Sequence, residues 1–118
     1  MVTAYVVVTV VTIAANAWAA LADFSRAGFV LANSAELGIP RSWLPPLAAL
    51  KAAGAAGLLL GLLGVRFIGV AAAVGLVLFF TGAVAVHVRT RVFRNIAFPG
   101  GFLVLAVASL VLVIATAR

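Results

Sequence analysis

The chain has no cysteine, one histidine and only two acidic residues, Asp23 and Glu36, in 118 positions. Without cysteine there is no disulfide framework, CxxC redox centre, thiolate nucleophile or cysteine-ligated iron–sulfur cluster. One histidine and two acids cannot build an ordinary metal site. A Ser, His and acid set, an HExxH motif, a phosphate-cradling glycine loop and paired carboxylates are also missing, which argues against a self-contained hydrolase, kinase or metalloenzyme. Charge of either sign is scarce. Charged residues make up 8% of the chain against 67% apolar, too little polar surface to cover a soluble domain of this size.

Four apolar runs fill the chain instead, at about 2–21, 47–65, 67–86 and 98–117. A bilayer core about 30 Å thick needs ~20 apolar residues as helix, rising ~1.5 Å per residue, and each run is near that length. The pattern predicts an all-α, integral membrane four-helix bundle, a single transmembrane domain over 1–118. A short interfacial segment is expected between the first and second spans. The alternative for the first run is a cleaved signal peptide with its cut site among the small residues of 17–22. It lacks a basic n-region, and its apolar stretch is longer than a usual h-region.

The net charge of +6 comes from basic residues that flank the spans, where orientation and anionic lipid explain them better than nucleic acid does. Arg26, Arg41, Lys51, Arg89, Arg91 and Arg94 fall on one side, and Arg66 and Arg118 on the other. The positive-inside rule then puts the 22–46 and 89–95 loops in the cytoplasm and both termini outside, in the cell's inner (plasma) membrane.

Within the first span Tyr5, Thr9, Thr12, Asn16 and Asp23 follow a 4, 3, 4, 7 spacing, which at ~100° per residue confines them to roughly a 60° arc. Such a stripe is costly against lipid and should face the bundle interior, with helix-to-helix hydrogen bonding favoured over a ligand-lining face. The 22–46 segment mixes Phe24, Phe29, Val30 and Leu31 with polar groups and reads as an interfacial helix or re-entrant lid. Asn33 or Ser34 is placed to cap a further turn, Gly38 and Pro40 punctuate the segment, and Trp43 is an interface anchor before Pro45 and Pro46 open the second span.

The second span carries Gly54, Gly57, Gly61 and Gly64, including a GxxxG at 57–61 that admits a close backbone neighbour, in the bundle or in a second copy. Gly75 and Gly82 in the third span form a similar expected seam. The fourth opens after Pro99, Gly100 and Gly101, and its polar residues, Ser109 and Thr116, look structural. Only the first span has a continuous polar stripe, so a pore is poorly supported.

Antiparallel connectivity brings Asn16, Asp23, Lys51, His87 and Arg89 to one end. Lys51, about two turns into the second span, must snorkel, pair or bind an anion, and Asp23 is its expected partner. His87 shares a face with Phe80, Ala83 and Val84, apart from Arg89. It reads as an interfacial histidine or as a proton-exchanging group for a quinone or anionic ligand.

The run LGIPRSWLPPLAALKAAGAAGLLLGLL at 37–63 and the run AAAVGLVLFFTGAVAVHVR at 71–89 resemble the DoxX-like membrane proteins, particularly a small, lysine-bearing branch common in actinobacteria. The resemblance implies a four-helix bundle and matches the family's recurrent pattern at Lys51, Gly54, Gly57, Gly82, His87 and Arg89. Some relatives are similar to subunits of quinone-reducing or quinol-oxidising enzymes, and others to assembly factors. Where larger DoxX proteins carry an acid in the second span, this chain has Lys51.

The first expectation is therefore an accessory membrane subunit, without a cofactor motif of its own and not self-evidently an enzyme. It would bind a hydrophobic ligand, lipid or quinone near Asn16, Asp23, Lys51, His87 and Arg89. The alternative is a non-catalytic assembly protein that forms homo-oligomers or joins a larger membrane complex through its glycine seams. Small-molecule or lipid transport is a third reading, which would require an oligomer.

Overall fold

In a bilayer core every backbone N–H and C=O must find its partner within the chain, so uninterrupted apolar runs become helices. The first run contains neither proline nor glycine and forms α1, Val2–Phe24. In the computed structural model, which describes residues 1–116, it is followed by α2 (Gly28–Leu37), a 3-10 turn (Arg41–Trp43), α3 (Leu44–Leu62), α4 (Arg66–Arg89) and α5 (Ala97–Ala115). No strand occurs among the described residues. Ala117, the expected end of the fourth span, and Arg118, counted above among the basic residues, lie outside the described residues. Helix α1, the turn with α3, helix α4 and helix α5 each have the length and apolar composition to cross a membrane.

Prolines open α3 as expected, and for the same reason α5 starts earlier than expected. Pro45 and Pro46 lie inside the first turn of α3, and Pro99 inside that of α5, because the first N–H groups of a helix have no intrahelical partner to lose. Gly100 and Gly101 are accordingly helical rather than a preceding turn. At the other ends, α1, α2 and α4 stop on a left-handed residue: Arg26 (φ 53°), Gly38 (φ 72°) and Arg91 (φ 59°). Each is followed by a backbone bond reaching five residues back: Ala27 N–H to Ala22 O at 3.0 Å, Ile39 to Ser34 at 2.9 Å and Val92 to His87 at 2.9 Å.

The four long helices form a ring in which α1 packs on α3 and α5, and α4 packs on the same two, giving a body 44 × 24 × 18 Å in extent. Burial is inverted relative to a protein in water. Large apolar side chains such as Val7, Leu78, Val104 and Ile114 point outward, while the largest fully buried side chains are Asn16, Thr9, Thr12 and Ser109. The polar stripe of α1 therefore faces inward. Thr12 Oγ1 lies 2.9 Å from Ser109 Oγ on α5, one interhelical bond where lipid offers none. At the opposite end from α2, Arg66 donates to the Val113 carbonyl and joins the start of α4 to the end of α5.

The glycines of α3 are used inside the bundle. A Cβ on Gly61 would stand 2.6 Å from Gly69 Cα, one on Gly57 2.6 Å from Ala72 Cβ, and one on Gly54 2.5 Å from Leu76 Cδ2. This seam holds α3 against α4 within one chain. Gly75 and Gly82 form no such seam within the chain, since nothing lies within 4 Å of a Cβ at either position. Both face open space: Gly75 borders a shallow apolar groove between α3 and α4, and Gly82 borders the cavity described next.

Candidate functional site

Helix α2 is short and two-faced. Val30, Ser34 and Leu37, spaced four and three apart, are its buried residues, so it lies across the end of the bundle with that face inward. Phe29 stacks on Trp18 of α1, with ring centroids 5.6 Å apart and planes 8° from parallel. On the far side two side-chain pairs tie α2 to the 90–96 connection: Asn95 Nδ2 donates to Asn33 Oδ1 at 2.7 Å, and Arg94 pairs with Glu36. Beneath this roof is a cavity of about 570 Å³.

Its polar wall comes from the ends of three helices. Asp23 sits in the last turn of α1 and Lys51 in the second turn of α3, and antiparallel packing brings Nζ to 2.8 Å from Oδ2. The pair is largely withdrawn from solvent, with 16% of the lysine side chain and 8% of the aspartate exposed. The ammonium also lies 5.6 Å from the centroid of the Phe79 ring, within cation–π range. His87, in the last turn of α4, is 3% exposed, and its Nδ1 is 2.8 Å from the carbonyl oxygen of Ala83. A carbonyl only accepts, so Nδ1 carries the proton. Nε2 is buried with no hydrogen-bond partner.

Four of the five residues expected to form the site therefore border one cavity: Asp23, Lys51, His87 and Arg89. His87 and Arg89 meet it differently, the first buried and the second exposed, as their separate helix faces require. Asn16 is not with them. It lies seven residues before Asp23, about 10 Å along the helix, and gives its amide to the Thr12 carbonyl at 3.0 Å. Sequence reasoning missed the aromatic wall, including Trp18, Phe98 and Phe102, and the loop amide Asn95. Phe98 and Phe102 could have been found from their spacing of four once the helix is known to begin at Ala97. Asn95 belongs to a connection with no period to read.

Among the described residues no group of three or more His, Cys, Asp or Glu side chains could hold a metal ion. The arrangement is suited to holding a molecule. It combines an aromatic and aliphatic interior, a fixed ion pair and an unused buried acceptor, the composition of small-molecule pockets generally.

No curated protein and no solved structure matches the chain. The model of the DoxX-like family matches residues 7–109, which take in most of α1, all of α2 to α4, most of α5 and every cavity-lining residue named above. On that match, together with four helices able to cross a bilayer, the chain is a multi-pass membrane protein that belongs to the DoxX-like family.

Proposed function

We propose that this small, lysine-bearing DoxX-like protein binds a hydrophobic ligand or lipid, with a quinone-sized head, in the cavity beneath α2, and serves as an accessory subunit to a partner that uses that molecule. The observation carrying the reading is the cavity itself. Its volume of about 570 Å³ falls within the ~300–1,000 Å³ of small-molecule sites, and it joins an aromatic lining to the Asp23–Lys51 pair and buried His87. The basic residues Arg26, Arg41, Arg89, Arg91 and Arg94 surround this end, which supports a cytoplasmic placement in the plasma membrane. The assembly reading rested on the glycine seams. Gly57 and Gly61 are occupied by α4, which leaves that reading only the open faces at Gly75 and Gly82.

Gly82 provides the test. It borders the cavity, sits in α4 and has nothing within 4 Å of where a Cβ would stand, so Gly82→Leu adds bulk at the cavity with no clash at its first carbon. Native mass spectrometry after gentle extraction should show a small molecule retained by the wild type and lost from Gly82→Leu. Identical small-molecule content in the two would remove the cavity as the binding site.

A further inference from the structure

We infer that the cavity selects a molecule carrying a hydrogen-bond donor, a hydroxyl or N–H on a flat aromatic head, which it gives to His87 Nε2. This rests on the reading of the cavity as a binding site and adds the chemical class of its occupant.

The contact of Nδ1 with the Ala83 carbonyl at 2.8 Å puts a proton on Nδ1, so Nε2 is the acceptor of the ring in its uncharged form. That atom is buried and has no partner among the described residues. A buried acceptor left unmatched is costly, so an occupant that supplies the missing proton is preferred over one of the same shape that does not.

Asn95 points the same way. Its amide nitrogen is used by Asn33 Oδ1, and its own Oδ1 is buried without a partner. Both unpartnered buried atoms on cavity-lining residues are thus acceptors. Lys51 Nζ, a donor on the same cavity, is held by Asp23. The head is flat because the lining is: both tryptophans of the chain and five of its phenylalanines border the space. An oxidised quinone head, with two carbonyl oxygens and no donor, is the wrong partner for this ring. The rule therefore separates ligands that size and hydrophobicity would not.

Trp18 and Trp43 border the cavity, so a quencher bound there appears as a saturable component above quenching from lipid, to which both rings are half exposed. A brominated naphthol and its methyl ether, titrated against the purified protein in lipid nanodiscs, differ by a methyl group in place of the donor proton, and bromine quenches tryptophan fluorescence. The naphthol should quench saturably, the ether should bind about tenfold more weakly or worse, and His87→Phe should bring the two together. Equal affinities in the wild type, which water on Nε2 would also produce, overturn the donor rule while leaving the cavity a binding site. A gap that survives in His87→Phe overturns the assignment to His87. Quenching by both that never saturates and is unchanged in Gly82→Leu overturns the binding-site reading, and the donor rule with it. The wild-type comparison needs no variant, so a His87→Phe chain that fails to fold does not remove the test.

Discussion

Replacing Lys51 by Met should destabilise the bundle by about 3–5 kcal/mol, because it strands the Asp23 carboxylate in a site where only 8% of that side chain reaches solvent. Snorkelling would make the change nearly free, so the two accounts differ in magnitude. Lys51 lies seven residues after the start of α3, about 10 Å along the helix, whereas an extended lysine side chain reaches roughly 6 Å. The ammonium cannot regain the helix end, and it is found instead 2.8 Å from Asp23. Loss of the Phe79 ring contact adds about 0.5–1 kcal/mol.

The double variant Asp23→Leu with Lys51→Met separates a charge effect from a packing effect. Exchanging a buried ion pair for apolar side chains is often neutral, so the double variant should lie within about 1 kcal/mol of wild type although the single one does not. Unfolding by SDS titration, followed by the fluorescence of Trp18 and Trp43, would measure both. If Lys51→Met alone costs under about 1 kcal/mol, the pair is not what holds α1 to α3, and the reasoning fails.

Gly61→Ala should cost about 1–3 kcal/mol in the same assay, since the new methyl would meet Gly69 Cα at 2.6 Å and force α3 from α4. Gly75→Ala, with nothing near it, should be neutral or stabilising by up to about 1 kcal/mol; equal losses at the two positions would contradict the seam. Arg91→Gly should raise stability by about 1 kcal/mol, because arginine at φ 59° carries a left-handed penalty that glycine does not. A fall in melting temperature would show that the Arg91 side chain contributes more than its backbone costs.

Much of the fold could be read because lipid makes the pattern strict. Every helix able to span must be long and apolar, so the four runs appear with boundaries wrong by only a few residues, and the stripe Thr9, Thr12, Asn16 and Asp23 had to turn inward. The errors come where one residue type serves two ends. Pro99 stops a helix from within but is harmless in its first turn, and sequence alone does not say which applies. Gly57 and Gly75 look alike in the chain. Only the position of α4 shows that the first is pressed against Ala72 and the second against nothing.

The site was legible in proportion to the cost of its residues in lipid. An ammonium and a carboxylate within spans must meet something, so Asp23 and Lys51 could be paired before any coordinates, and His87 could be placed near them by connectivity. Asn16 faces inward by the same rule yet lies elsewhere, its amide nitrogen bonded to the carbonyl one turn back in its own helix and its Oδ1 buried without a partner. The aromatic wall carries no such cost. Phe79, Phe98 and Trp18 would sit as comfortably against lipid as against a ligand, and only the roof formed by α2 turns them into the inside of a cavity. That roof is held by Asn33 to Asn95 and Glu36 to Arg94, pairs 62 and 58 residues apart that no local period connects. The contacts that shape this end of the bundle therefore lie in the segments between its spans, where the hydrophobic pattern is weakest.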